Sequence, residues 1–361
     1  MKRFALVTVF SSPHILPFIS EMSNYYDEVF VVELSPITIE RKQMGYEVSK
    51  ENVKVLKYYQ EQENAQYVID SADDIIFADK NFNLLQNRLK NNKKCWIVSE
   101  RIFKKGIIKW CDPRTWKLMR FCRTVRRLPV YLLAIGKYAA NDFIKLGFNR
   151  NKIYSFGYFP ELNENSNISV SDTSGKKVIL WVGRFVDWKK PFRAIKVIKT
   201  MPDNYVLHMI GDGKLLSKAK RLSASLNERV VFYGNLPNCD VIRHMHNCDV
   251  FLSLSGREEG WGVVVNEAMY SGCAIVCNDK MGCVGMLANN DNCVIFHGND
   301  IKKIRQAVYY AVLQKEQLGE VAKKTIKDEF NYKIAAERFA ALSAEADGDI
   351  YSSGLLSRVF K

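Results

Sequence analysis

The sequence predicts an α/β protein built from two doubly wound parallel sheets. Three observations carry that reading. The chain has 361 residues, too many for one ordinary domain and suited to two of about 150–180 each. Short apolar runs alternate with amphipathic helical patterns, and no two runs are joined by a hairpin signal such as Asn-Gly. Residues 160–176 interrupt the alternation with Asn, Ser, Glu, Asp, Thr and Gly, the composition of a linker. Hydrophobic residues make up 47% and charged residues 25%, which excludes disorder and fibrous repeats. No run approaches the ~20 apolar residues of a membrane-spanning helix.

Met1-Lys2-Arg3 followed by Phe4–Phe10 imitates a signal peptide, but the apolar stretch is short and Ser11-Ser12-Pro13-His14 is a poor cleavage site. Phe4–Phe10 is therefore expected as the first strand. Further strands are expected at Glu28–Glu33, Val53–Leu56, Ile75–Ala78, Cys95–Ser99, Val130–Ile135 and Lys152–Phe156, making a first domain over 1–159. Within it, Asp112-Pro113 is an N-cap and first-turn signal for a helix Arg114–Arg127. Strands resume at Val178–Val182, Val206–Ile210, Val230–Tyr233, Val250–Leu254 and Ala274–Cys277, a second domain over 177–330. Residues 331–361 are expected as a C-terminal helix and tail returning towards the first domain. Two such domains facing across a cleft would bind ligands at the carboxyl ends of their strands.

Nine cysteines cannot all pair, and none shows a Cys-x-x-Cys repeat, so a reducing cytosol is the simplest compartment. Cys273, Cys277 and Cys283 read as small buried thiols. His244 and His246 would point to different faces of a helix and read as surface decoration. Asp347-Gly348-Asp349 imitates a metal-binding Asp-x-Asp but sits in a tail, not at a strand end, and Asn167-Ile168-Ser169 is a formal glycosylation site. No metal and no cofactor is expected. The balance of 53 basic and 39 acidic residues gives +14. From Lys80 to Arg127 stand 15 Lys and Arg against two acids, Glu100 and Asp112, which points to an anionic partner. Arg114, Lys117, Arg120, Arg123 and Arg127 recur every three to four residues beside Trp116, Leu118, Phe121, Cys122 and Val125. That pattern suits a helix lying on an anionic bilayer. It equally suits a helix whose apolar face packs on the sheet.

The strongest chemical signal is Ser255-Gly256-Arg257-Glu258-Glu259-Gly260-Trp261-Gly262-Val263, which follows a strand and opens the helix carrying Glu267. Glycines let backbone approach a ligand, and a new helix offers free N–H groups to a phosphate. Glu259 could grip sugar hydroxyls and Glu267 a ribose diol. The second signal is Gly183-Arg184…Lys189-Lys190-Pro191 at the end of the second domain's first strand. Arg184 offers a bidentate fork and Lys189 a point charge, enough to neutralise a diphosphate without metal. Gly211-Asp212-Gly213 follows the next strand; alone it is a tight strand-to-helix turn.

Together these segments resemble the donor half of family 4 glycosyltransferases, retaining enzymes of the GT-B fold, over roughly 178–295. Weaker similarity to bacterial enzymes of surface polysaccharide synthesis extends to Glu40-Arg41-Lys42 with Gly45-Tyr46, Ser99-Glu100-Arg101 and Phe156-Gly157-Tyr158-Phe159-Pro160. Three departures stand out, and one is that the family's first-domain catalytic histidine has no clear match, with Glu100 near the expected strand end. The family's glycine-rich loop after the first strand reads Ser11-Ser12-Pro13-His14, and the paired glycine of the later phosphate loop is Gly282-Cys283.

The resemblance implies sugar transfer from a nucleoside-diphosphate sugar to a growing glycan, with a lipid-linked acceptor, in surface polysaccharide synthesis. Arg184, Lys189 and the amides of Trp261, Gly262 and Val263 would hold the diphosphate, beside Gly183 and Gly211. Glu259 would orient the sugar and Glu267 the ribose. On the acceptor side stand His14, Glu100 and Arg101. The protein would be cytoplasmic, peripheral on the inner face of the plasma membrane through Lys80–Arg127. Two other readings remain open. One is a different GT-B activity such as a nucleotide-sugar epimerase. The other is nucleic-acid binding with Trp110 and Trp116 stacked on bases, which leaves the glutamate loop unexplained.

Overall fold

The computed structural model describes residues 1–43, 50–162, 175–345 and 350–360. Gly45-Tyr46, Asn167-Ile168-Ser169, Asp347-Gly348-Asp349 and most of the 160–176 segment lie outside the described residues. The chain divides into two compact units, Met1–Glu161 with Phe330–Lys361, and Leu162–Glu329.

Unit 1 holds β1 (Arg3–Thr8), β2 (Glu28–Glu33), β3 (Lys54–Lys57), β4 (Asp74–Phe77), β5 (Cys95–Ser99), β6 (Val130–Ile135) and β7 (Ile153–Phe156). They form one parallel sheet in the order β3-β2-β1-β4-β5-β6-β7, with Leu6 paired to both Val31 and Ile76. Helices cover both faces of such a sheet, so its strands are continuously apolar rather than alternating. All six residues of β6 are buried.

The sheet's two edges are protected differently. β3 is a short, charged strand that invites no further pairing. β7 is covered by the chain's own tail, with Leu356 N donating to Ser155 O (2.9 Å) and Val359 N to Ile153 O (3.0 Å). The helix Tyr332–Ala344 is capped by Asn331 and buries Phe339 against Phe4, Phe18 and Trp96.

Unit 2 holds β8 (Lys177–Val182), β9 (Tyr205–Ile210), β10 (Val230–Gly234), β11 (Val250–Ser253), β12 (Ala274–Asn278) and β13 (Val294–Phe296). The order is β10-β9-β8-β11-β12-β13, all parallel. β13 was not expected, because three residues are too short to stand out as an apolar run.

In each sheet the winding reverses beside the first strand, between β1 and β4 and between β8 and β11. Loops leaving a reversal point diverge and open a crevice at the carboxyl edge. In unit 2 those loops are the ones carrying Gly183–Lys190 and Leu254–Val263.

The basic segment is less uniform than its composition. Arg88 is 1% exposed and donates to the carbonyls of Ile69, Ala72, Asp73 and Lys94, so it serves the fold and not a partner. The expected helix Arg114–Arg127 is an α-helix Pro113–Thr124 followed by a tight turn Val125–Arg127, and Asp112 caps it by accepting from Arg114 N at 2.9 Å. Leu118, Cys122 and Val125 lie in the core, and Phe121 stacks on Phe82 at 3.6 Å. Most of the apolar face is therefore committed to the core, while Trp116 is 54% exposed. Arg114, Lys117, Arg120, Arg123, Arg126 and Arg127 are exposed.

Candidate active site at the carboxyl edges

β8 ends at Val182, and Gly183 begins the first loop. Phe185, fully buried, anchors that loop, with its N–H on Asp212 O (2.8 Å) and its carbonyl receiving Leu215 N (3.0 Å). Trp181 Nε1 donates to Lys189 O at 3.2 Å, and Lys190 turns the chain with φ +56° into the helix Pro191–Ile198. The lysine backbone is thus held from both sides. Gly183 lies beneath the Lys189 stem, where a Cβ would sit 3.4 Å from Lys189 Cδ. Gly211 closes the same turn at φ +125°, and a Cβ there would meet Gly183 O at 2.2 Å, so only glycine fits. The aliphatic stem of Lys189 carries its ammonium to an ion pair with Glu259 Oε2, both side chains 17% exposed. Arg184 is exposed, its guanidinium over the Trp188 ring at 5.4 Å. Among the described residues Arg184 makes no ion pair.

The Glu259 loop from β11 is equally constrained. Trp261 is buried and its Nε1 donates to Asn266 Oδ1 at 2.8 Å, an internal tie between the loop and the helix Val264–Tyr270. Gly282 N donates to Glu259 O and Cys283 N to Trp261 O, each at 3.3 Å. This lacing is so close that a Cβ on Gly282 would lie 1.6 Å from Gly260 O. Gly262 has φ +98°, which turns the chain into the helix and leaves the amides of Val263 and Val264 at its open end. Glu267 stands in the first turn of that helix. Its carboxyl is pushed up by burial and held down by Asn238, whose Nδ2 donates to Oε1 at 2.9 Å.

The carboxyl edge of unit 1 is built differently. Phe159 N donates to His14 O at 2.8 Å, and the His14 ring lies 6.2 Å from that of Tyr158. Tyr158 OH donates to Glu100 Oε1 at 3.2 Å, and Lys104 pairs with the other carboxylate oxygen. Burial, helped by the charge of Arg41, lowers the His14 pKa to about 4. His14 and Glu100 thus share one polar constellation. Arg101, expected beside them, is instead buried between Asp142 (3.8 Å) and the Tyr138 ring (4.4 Å). It braces the loop after β5.

Residues 164–328 match the family described as glycosyl transferases group 1. The matched segment, just under half of the chain, is similar to that family.

The match spans the whole β8–β11 reversal described above. A GDP-mannose-dependent monoacylated alpha-(1-6)-phosphatidylinositol monomannoside mannosyltransferase of Corynebacterium glutamicum is 23% identical over 192 residues, 50% of each chain. An N,N'-diacetylbacillosaminyl-diphospho-undecaprenol alpha-1,3-N-acetylgalactosaminyltransferase of Campylobacter jejuni is 25% identical over 169 residues, 46% of this chain and 44% of that one. The chain spans about half the length of these curated relatives. The fold of the whole chain is GT-B. Anabaena HepE in complex with UDP superposes with TM-score 0.72 at 14% identity, covering 96% of this chain and 100% of that one. The lipopolysaccharide glycosyltransferase WaaG superposes with TM-score 0.63 at 14% identity, covering 98% and 100%.

Three residues of these edges are invisible to motif reading. Asn266, which secures the Trp261 indole, sits inside the motif but reads as any helix polar residue. Tyr158 is part of the Phe156–Pro160 similarity, yet nothing local shows that it reaches Glu100. Asn238 carries no signal at all, being 29 positions from the glutamate it touches. His244, expected on the surface, is half-buried with its ring 4.4 Å from that of Tyr233. His246 is exposed. Cys273, Cys277 and Cys283 are buried thiols. Among the described residues no cluster of three or more His, Cys, Asp or Glu could hold a metal ion, and no helix is long and apolar enough to cross a membrane.

Proposed function

We propose that the chain is a retaining, metal-independent glycosyltransferase that moves a sugar from a nucleoside-diphosphate donor to a growing, lipid-linked glycan. The observation that carries this reading is the Lys189–Glu259 pair, assembled from the two loops that diverge at the unit 2 reversal. A carboxylate for sugar hydroxyls and an ammonium for diphosphate stand side by side there.

When the bond from anomeric carbon to diphosphate oxygen breaks, negative charge builds on the leaving group. Arg184, Lys189 and the amides around Val263 stabilise that charge, which is how most of the rate would be won. Glu259 orients the sugar and Glu267 the ribose. The acceptor oxygen bonds to the face the diphosphate leaves, and its proton passes to a diphosphate oxygen. In the free protein Lys189 is already neutralised by Glu259, so an arriving diphosphate competes with, or shares, that contact.

His14 and Glu100, with Tyr158, supply the acceptor side in this reading. A lipid-linked acceptor is supported by the names of both curated relatives, whose own substrates are a phosphatidylinositol monomannoside and a diphospho-undecaprenol. The exposed arginines of the Pro113–Thr124 helix and the turn after it would hold an anionic bilayer by charge alone. The protein would work as a peripheral enzyme on the cytoplasmic face. Nucleic-acid binding is disfavoured because Trp110 packs on Phe103 at 4.9 Å and Trp116 Nε1 is bonded to Trp110 O.

The test is incubation with a panel of nucleoside-diphosphate sugars and anionic vesicles carrying polyprenyl-linked glycans, read by mass spectrometry with and without chelator. Transfer that survives chelator is expected. An absolute need for divalent metal, or epimer formation without transfer, would overturn the reading.

A further inference from the structure

Asn238 is the first residue of the helix Asn238–His246, which follows β10, while Glu267 follows β11. Their only link is spatial, the 2.9 Å bond from Asn238 Nδ2 to Glu267 Oε1. We propose that Asn238 is the positioning residue for ribose recognition, fixing Glu267 through Oε1 so that Oε2 meets the vicinal hydroxyls of the nucleoside diphosphate. The proposal rests on the reading of Glu267 as the ribose-binding group.

The chemistry of the pair explains the residue type. A glutamate side chain has several rotamers, and ordering it only when the ligand arrives costs affinity. A neighbour that already holds one oxygen removes that cost. The neighbour must donate, because an ionised carboxylate only accepts. It must also carry no negative charge, because a second carboxylate would repel the first. Asparagine meets both demands. Its donation also opposes the effect of burial on Glu267 and so favours the ionised, accepting form.

Isothermal titration of the full chain tests this with uridine and guanosine diphosphates and their 2′,3′-dideoxy counterparts. Wild type is expected to prefer the ribose form of whichever base it binds by about tenfold, the scale of a hydrogen bond to a charged group. Asn238→Ala and the isosteric Asn238→Asp should each reduce that preference to about twofold or less, with dideoxy affinity unchanged. Equal losses for ribose and dideoxy forms would make Asn238 a packing residue and overturn the proposal. Full ribose preference in both variants would overturn it too, while leaving the Glu267 reading intact. Wild type without any ribose preference, or Glu267→Gln that retains it, would overturn both.

Discussion

The reversal points of the two sheets share a topology and differ in how their loops are held. In unit 2 the loops after β8 and β11 are fixed through backbone. Gly211 packs on Gly183 O, Gly282 packs on Gly260 O, and two buried indoles pin Lys189 and Asn266. In unit 1 the loop after β1 reads Ser11-Ser12-Pro13-His14; Ser11 donates its N–H and hydroxyl to Glu33 Oε1 and His14 O receives Phe159 N. The loops after β5 and β7 meet through side chains, Tyr158 on Glu100 with Lys104 on the same carboxylate. Loops held by backbone and glycine tolerate little change. Contacts made through side chains can be rebuilt by single substitutions.

The largest effect is expected on the outer face of unit 1. Replacing Arg120, Arg123, Arg126 and Arg127 together with Gln should abolish sedimentation with anionic vesicles. Each basic residue near such a surface contributes up to about 1 kcal/mol, so four removals amount to up to about a thousandfold in partition. Donor hydrolysis should be unchanged, and added salt should release wild type by screening. Equal sedimentation of the substituted protein would show the face to be merely solvated.

Next comes the backbone-held site. Glu259→Gln should cut transfer at least ~100-fold, the scale of losing one positioned group. Nucleoside-diphosphate binding should survive or tighten, because the substitution frees Lys189 from its ion pair. Calorimetry beside a transfer assay separates the two effects, and near-normal transfer would remove Glu259 from the site. Arg184→Ala and Lys189→Ala should each weaken both diphosphate binding and turnover by about tenfold, the scale of one charge-assisted contact. Loss of turnover with unchanged diphosphate affinity would contradict their role.

The smallest effect concerns histidine burial, which both units share. His14 in unit 1 and His208 in unit 2 each have their pKa lowered to about 4 by burial, with help from Arg41 and His244 respectively. Both stay neutral in the fold at pH values where the unfolded chain takes up a proton. Their contribution is therefore complete above the unfolded pKa of about 6.5 and is lost as pH falls towards 4. Urea titrations at pH 7.5 and 5 should show a smaller pH loss for His14→Gln and for His208→Gln than for wild type. An unchanged difference in either variant would mean that histidine titrates normally.

The Gly183–Lys189 and Glu259–Glu267 segments were legible as strand-to-helix turns because the close approach of Lys189 to Gly183 and the left-handed backbone of Gly262 demand glycine at close spacing. The central strands were legible for a related reason, since a strand buried on both faces must be continuously apolar. β13 escaped because three residues carry too little pattern. The fate of the basic segment escaped because an arginine written in sequence shows its charge but not its surroundings.

What the sequence by itself determined is the pair of doubly wound sheets, the two loops bearing Arg184, Lys189 and Glu259, and the helix bearing Glu267, all consequences of short-range backbone and side-chain preference. Tertiary structure alone decided that Lys189 pairs with Glu259 across 70 positions and that Asn238 holds Glu267. It also turned Arg88 and Arg101 inward and left Arg120 and Arg127 outside, with Leu118, Cys122 and Val125 beside them packed into the core. Those outcomes depend on which strands become neighbours. That is settled by burying apolar surface over the whole unit, and no local window of sequence contains it.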